Sequence, residues 1–448
     1  MLPYLPPTLS LFEAHPTTSL PLPIYSLEPV DEPPLESLAI SSSSEPVNNG
    51  ECSYKPDDWV WARSTKNTRV TREDWWQDVR EVEFEFESAD IPPYLPGSIA
   101  SLQPSLSTEE VNTFLDLMGL RETADTAVVI RPLPPDQPIP SHLPPVPTTL
   151  RSLLTNHLDL RAPPRKSFFE WMRRLSPDER EQERLNEFIA DPVSFLPSFS
   201  RGITLTPVVK DEIHTYATRP SRSILETLAD FRQTKIPLSH ILEILPPLRR
   251  RQFSIASSSS AHAGKVQLLI ALVEYKTILK IPRRGLCSSW LDDLPLGGRV
   301  PIKISAPTLF LPKNPATPVI LVGPGTGVAP MRAFIEERVR QGAAKHYYYS
   351  SEWEQYRKLG VRIRVAASRD QEEKVYVQDL MREDKELVRD WVVGQHGSLF
   401  ISGSSNAMPK EVRGALADCL VCDQRDREAA EAYVEEMFES GRGGEESW

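Results

Sequence analysis

Cysteine is scarce in this chain: Cys52, Cys287, Cys419 and Cys422 are the only four in 448 residues. So few thiols in so long a chain exclude a disulfide-built secreted scaffold and point to a reducing compartment. Cys419 and Cys422 form a C-x-x-C. Zinc needs about four ligands, and no second pair or histidine cluster lies nearby in sequence. No metal site is expected, and the two are read as small residues on a C-terminal helix. Long apolar runs are also lacking; none approaches the ~20 residues of a membrane-crossing helix, so no membrane association is expected. The opening MLPYLPPTLSLFEAHP has no basic flank and is broken by prolines, unlike a signal peptide. Dense Lys/Arg blocks are missing as well. With a formal net charge of -11, nucleic acid is excluded as a partner and a cytoplasmic location is expected.

Proline, by contrast, is abundant. The 43 prolines are about twice the average usage, and most precede residue 165. Residues 1–55 are rich in Pro and Ser and read as a linker or disordered arm, although LPLPIYSL could dock as an extended strand. From Val79, VREVEFEF places Val82, Phe84 and Phe86 on one face and charges on the other, a half-buried antiparallel strand. Residues 108–245 change to helical patterns separated by Pro-rich stretches: STEEVNTFLDLMGL, RKSFFEWMRRLS, SPDEREQERLNEFIA and RSILETLADFRQ. Short β runs return in FSIASS, VQLLIALVEYKT and VPIKIS, with the spacing of a small antiparallel barrel. After Pro318 the rhythm becomes strand, turn, helix. The strands are VILVG, VRIRVAAS and SLFISG; the helices are PMRAFIEERVRQ, VYVQDLMRED and one long C-terminal helix. This alternation predicts a parallel sheet flanked by helices.

The strongest local signal is PVILVGPGTGVAPMRAFIEER. A buried strand runs into Gly323, Gly325 and Gly327, and a helix is expected to open at Pro330. Met331, Phe334, Ile335 and Val339 would pack it on the sheet. Glycines let a backbone approach a ligand, and the helix N-terminus offers free N–H groups to a pyrophosphate; the spacing is G-x-G-x-G rather than the usual G-x-G-x-x-G. Further on, Ser368 ends a predicted strand. Arg369 and Lys374 are placed for a 2′-phosphate, and Tyr376 could cover an adenine; Ser-Arg rather than an acidic residue at that strand end favours NADP over NAD. Earlier, Arg251, Gln252, Phe253 and Ser254 begin a strand. An Arg fork suits a diphosphate, and Phe253, two residues on and on the same face, could stack on a flavin or simply fill the core. In RRGLCSSWL, Gly285, Leu286, Cys287 and Ser288 form a second candidate phosphate-binding helix start.

Taken together, R-x-F-S, G-L-C-S, G-P-G-T-G, S-R…K-x-Y-x-Q and a C-terminal aromatic resemble, in order, the ferredoxin–NADP reductase-like module of diflavin reductases, the group containing cytochrome P450 reductase. NTRVTREDWWQDVREVEFEFE, EYKTILKIPRRGLCSSWL, FISGSSNAMPKEV and YVEEM…EESW resemble, within that group, the diflavin oxidoreductases of cytosolic iron–sulfur cluster assembly. The resemblance covers most of residues 56–448. It implies a multidomain fold: an antiparallel β-barrel FAD-binding domain at 56–312 with a helical insertion at about 108–245, and an α/β parallel-sheet NADP-binding domain at 313–448. It implies FAD held by Arg251, Gln252 and the 285–288 turn, Phe253 stacked on the isoalloxazine and Ser254 near flavin N5. NADPH would meet Gly325, Thr326 and Gly327 at its pyrophosphate. Ser368, Arg369, Lys374, Val375, Tyr376, Val377 and Gln378 would meet its 2′-phosphoadenosine end, with Glu411 nearby. Trp448 would cover the flavin. Ser402 and Glu446 stand where P450 reductases carry a Cys and an Asp that assist hydride transfer. An iron–sulfur assembly protein of the anamorsin type is the implied partner.

Two departures accompany the resemblance. No T/S-x-T-G-type loop precedes residue 56, so FMN, expected in the full-length family, has no expected site in this chain. Lys345 and His346 also run directly into YYYSSEW, where the family has a further strand, so one strand of the parallel sheet is expected to be missing. The alternatives are a non-catalytic FAD-binding or interaction remnant and a stand-alone reductase serving an external one-electron carrier.

Overall fold

The computed structural model describes residues 20–31, 59–87, 94–134, 136–190, 212–278, 280–340, 362, 364–366, 374–422 and 425–447. The chain divides into two compact units. One comprises Met1–Ala39, Ser105–Arg249 and Tyr275–Arg283; the other comprises Ile40–Pro104, Arg250–Glu274 and Arg284–Trp448.

The first unit is mostly helical, and several of its helices begin where the sequence supplies caps. Ser107 caps Thr108–Met118 and Ser223 caps Ile224–Asp230, each with a reciprocal glutamate (Glu110, Glu226) three residues on. Such capping boxes satisfy donors that a helix start leaves unpaired. Asp178 caps Glu179–Ile189, and Lys166–Leu175 precedes it. Phe168, Phe169, Phe188 and Phe231 are buried, and Phe169 meets Phe188 at 4.8 Å between ring centres. A three-stranded sheet completes the unit, with Tyr25–Pro29 and Thr148–Thr149 flanking Ala127–Pro132. The run LPLPIYSL thus docks as an extended strand, as its sequence allowed. Tyr25 is buried, its hydroxyl donates to the Pro138 carbonyl at 3.0 Å, and Glu243 accepts from the Ile24 and Tyr25 amides.

The second unit holds a six-stranded antiparallel sheet in the order Arg251–Ser254, Ile99–Leu102, Arg299–Ser305, Trp59–Arg69, Val79–Phe86, Lys265–Ala271. Val82, Phe84 and Phe86 all point into the core. The opposite face is not simply solvated, because Glu81 is buried against Lys66 and Glu83 accepts from Lys265, Gln267 and Thr65. One bridge, Ile255 to Leu268, links the two ends of the sheet.

The same unit continues into a parallel sheet, Val319–Val322, Ser398–Gly403, Gly443–Ser447, with both pairings parallel. Helices Val328–Arg340, Val377–Glu383, Met408–Leu420 and Arg427–Glu439 accompany it. Three sequence expectations change here. The single long C-terminal helix is two helices followed by a strand. Residues 364–366 of VRIRVAAS join no strand, and the rest of that run except Arg362 lies outside the described residues. Cys419 is on the Met408–Leu420 helix, whereas Cys422 lies beyond its end in a bridge to Arg425. The expected missing strand falls in 341–361, also outside the described residues.

Candidate functional site

Two strands far apart in sequence place the central residues. The Arg251–Ser254 strand ends at Ser254, opposite Ile99, and Gly443–Ser447 carries Glu446 beside Ser402 in parallel register. Ser254 Oγ donates to Glu446 Oε2 at 3.1 Å across 192 residues of sequence. Burial pushes the Glu446 carboxyl above its ordinary range, while hydrogen bonds from Ser254 and Thr308 oppose the shift. Ser402 is fully buried, and its hydroxyl has no hydrogen-bond partner among the described residues. An unpaired buried hydroxyl is costly, so Ser402 Oγ is a polar group still to be satisfied at this point.

On the antiparallel side, Phe253 is half-buried and packs against the sheet's core, while Gln252 is exposed. Arg251 lies close enough to the Gly285–Ser288 turn for its charge to act on the Cys287 thiol. Burial pushes that thiol up to about 12 against the Arg251 charge. Gly285 precedes the Leu286–Asp292 helix, whose start has no side-chain cap. A Cβ at Gly285 would stand 2.8 Å from both Ser288 Oγ and Val273 Cβ. The Ser288 hydroxyl accepts from the Val273 amide at 3.1 Å and donates to the Gly285 carbonyl at 3.2 Å, so it holds the turn closed.

On the parallel side, Gly325–Gly327 form a tight turn, and the helix begins at Val328 rather than Pro330. Pro330 therefore sits at the third helical position, where its missing N–H still leaves no intrahelical bond unmade. Gly325 has φ +60 with open space around it, whereas a Cβ at Gly327 would come within 2.1 Å of the Ser402 carbonyl. The Gly-rich turn and the strand carrying Ser402 are thus in backbone contact, which only glycine permits. Thr326 is half-buried. Lys374 and Tyr376 are exposed, with Val375 and Val377 half-buried. The Tyr376 amide donates to Asp379. Gln378, buried, donates to Glu411 at 2.7 Å. Ser368, Arg369 and Trp448 lie outside the described residues.

The donor set fits dinucleotide cofactors: open space at Gly325, an uncapped helix start beside Arg251, and the unsatisfied Ser402 hydroxyl at the Ser254–Glu446 pair. No group of three metal-ligating side chains occurs among the described residues. A cavity of about 1100 Å³ is lined wholly by the helical unit, including Phe168, Phe188 and Arg249. It contains none of these residues.

The sequence reading missed one cluster. Arg332 and Glu336, both buried, lie one turn apart on the Gly-turn helix and pair at 2.9 Å. Opposite charges at i and i+4 ordinarily mark a solvated helix face, so nothing in the pattern signalled burial.

The FAD binding domain family matches residues 56–290, which places the chain among the flavin-dependent oxidoreductases. The NADPH-dependent diflavin oxidoreductase 1 of Cryptococcus neoformans var. neoformans serotype D is 57% identical over 491 residues, covering 100% of this chain and 76% of that protein. That span exceeds the 448 residues here, so the relative carries positions with no counterpart in this chain. The proteins of the same name from Xenopus laevis and Aspergillus fumigatus are 39% and 33% identical, and the chain spans 63% and 64% of their lengths. The chain belongs to the NADPH-dependent diflavin oxidoreductases, flavoproteins that work with FAD and NADPH. No described helix is long and apolar enough to cross a membrane.

Proposed function

We propose that this chain is the reductase portion of a diflavin enzyme, passing a hydride from NADPH to FAD and then electrons to an FMN or iron–sulfur acceptor. Its setting would be cytosolic iron–sulfur cluster assembly in the cytoplasm, with a protein of the anamorsin type as partner. The observation that carries this reading is the Ser254–Glu446 hydrogen bond. It brings the R-x-F-S strand and the C-terminal strand to one point beside the Gly-rich turn. In this reading the antiparallel sheet is the FAD-binding barrel, its ends meeting at the Ile255–Leu268 bridge, and the parallel sheet is the NADP-binding domain.

When bound, FAD supplies a ring that accepts a hydride and releases electrons singly, chemistry that no side chain provides. Arg251 and the Gly285–Ser288 turn would hold its phosphates, and Phe253 would face its ring. Gly325 and Thr326 would admit the NADPH pyrophosphate at the Val328–Arg340 helix start. Arg369 and Lys374 would select the 2′-phosphate, with Tyr376, Gln378 and Glu411 around the adenosine. Glu446 orients the Ser254 hydroxyl. Because burial favours its neutral form, its carboxyl group can also hold a proton or return it.

Ser254→Ala and Glu446→Gln should retain FAD yet slow flavin reduction by NADPH by about 100-fold or more in rapid mixing. Reduction at the unaltered rate in both variants would remove the proposed role of the pair.

A further inference from the structure

The Val328–Arg340 helix begins at the Gly-rich turn, and its first buried charged residue is Arg332. Arg332 Nη1 donates to the Ala256 carbonyl at 2.7 Å and to Gln267 Oε1 at 2.6 Å. Glu336, its ion-pair partner, accepts from the Ser258 amide at 2.7 Å and meets His262 Nε2 at 3.2 Å. The next residue, Glu337, accepts from the Ser258 and Ser260 hydroxyls. All these contacts fall on residues 256–267, the segment that runs on from Ser254 into the Lys265–Ala271 strand. Gln267 in turn donates to Glu83 on the neighbouring strand, so the network reaches into the antiparallel sheet. On the same helix, the Phe334 ring lies 3.0 Å from where a Cβ at Gly97 would stand.

We propose that Arg332 and Glu336 are positioning residues for hydride transfer. They fix the backbone just beyond Ser254 to the helix that carries the Gly-rich turn, and so set the distance between the flavin strand and the nicotinamide side of the site. A buried arginine, bonded at once to a carbonyl two residues from Ser254 and to a carboxylate on its own helix, has few ways to move. The helix transmits that constraint over little more than one turn to Gly325–Gly327. Hydride transfer depends steeply on donor–acceptor distance and alignment, so loosening this clamp should slow the chemical step more than it weakens either cofactor. This inference rests on the function proposed above.

The test uses the full chain with Arg332→Met, Arg332→Lys and Glu336→Gln. Hydrogen–deuterium exchange on the cofactor-free protein should show faster exchange in residues 256–262 for Arg332→Met and Glu336→Gln, since the Ser258 amide loses its ionic acceptor or that acceptor its counter-charge. In FAD-loaded protein the same two variants should reduce flavin at least about tenfold more slowly with saturating NADPH, with KM within about twofold and FAD content unchanged. Arg332→Lys should recover part of the rate. If Arg332→Met does not fold, Glu336→Gln, which keeps the shape of the side chain, decides alone. Reduction at the unaltered rate in a folded, FAD-loaded variant with a loosened 256–262 segment overturns the positioning role. Failure of the unaltered FAD-loaded chain to react with NADPH overturns the proposed function, and this inference with it.

Discussion

Two carboxylates in this chain are pushed in opposite directions by their surroundings. Burial alone would raise the Glu83 carboxyl, but hydrogen bonds from Gln267, Lys265 and Thr65 outweigh it and bring it down to about 2. A depressed folded-state value stabilises the protein above the ordinary value of 4.5, and that contribution disappears as the pH falls towards 2. Unfolding monitored across this window should therefore show a loss of stability that Glu83→Gln flattens; an unchanged slope would refute the assignment. Glu446 behaves the other way. Its raised value means that its contribution is greatest at low pH and declines as the pH rises through the folded-state value. The thiols differ as well. Cys287 and Cys419 are buried and pushed up to about 12 and about 11, chiefly by burial, whereas Cys422 is half-buried. Among the described cysteines, a thiol reagent should label Cys422 first in the native state, as peptide mapping would show. At this scale the family resemblance singled out Ser254, Ser402 and Glu446 as candidates, and the fold brings Glu446 beside both serines. The sequence could not identify Arg332 and Glu336. On the Val328–Arg340 helix, Met331 and Phe334 are buried as the pattern predicts, but Ile335 and Val339 are only half-buried while Arg332, Glu336 and Arg338 are buried. Both faces of this helix are covered, and a charge that finds its partners far away in sequence looks like a surface charge in the pattern.

At the scale of elements, legibility followed local chemistry. The helices of the first unit could be read because Ser107, Asp178 and Ser223 cap them and Gly119, at φ 71, closes the first. Ser107→Ala should cost about 1 kcal/mol, read as a shift in the urea midpoint. The strand Gly443–Ser447 could not be read, because Gly and Glu have little preference for strands. It exists through its pairing with Ser398–Gly403, and its glycines admit neighbours: a Cβ at Gly443 would stand 2.5 Å from the Phe438 ring. The Gly-rich turn separates two uses of glycine. Gly327→Ala would force a methyl against the Ser402 carbonyl at 2.1 Å, backbone against backbone, and should cost about 3 kcal/mol. Gly325→Ala meets open space and carries only the strain of a positive φ, about 1 kcal/mol. Thermal melts should rank the two in that order; equal effects would mean that the Gly327–Ser402 approach is not tight.

At the scale of the molecule, the order of segments was plain in the sequence: a Pro-rich start, a strand, a helical stretch, β runs, then strand–turn–helix. Local pattern did not reveal that residues 20–31, 275–278 and 280–283 join the helical stretch in one compact unit. That grouping depends on tertiary contacts such as Glu243 with the Ile24 and Tyr25 amides and Arg283 with Glu226. In the proposed function, FAD and NADPH meet in the second unit at Ser254, Ser402 and Glu446. The most direct test is the absorbance of the purified, FAD-loaded chain during anaerobic titration. The account predicts a flavin band near about 450 nm that bleaches with NADPH and not with equal NADH. A folded chain that binds no flavin, or a flavin band unchanged by NADPH, would contradict it.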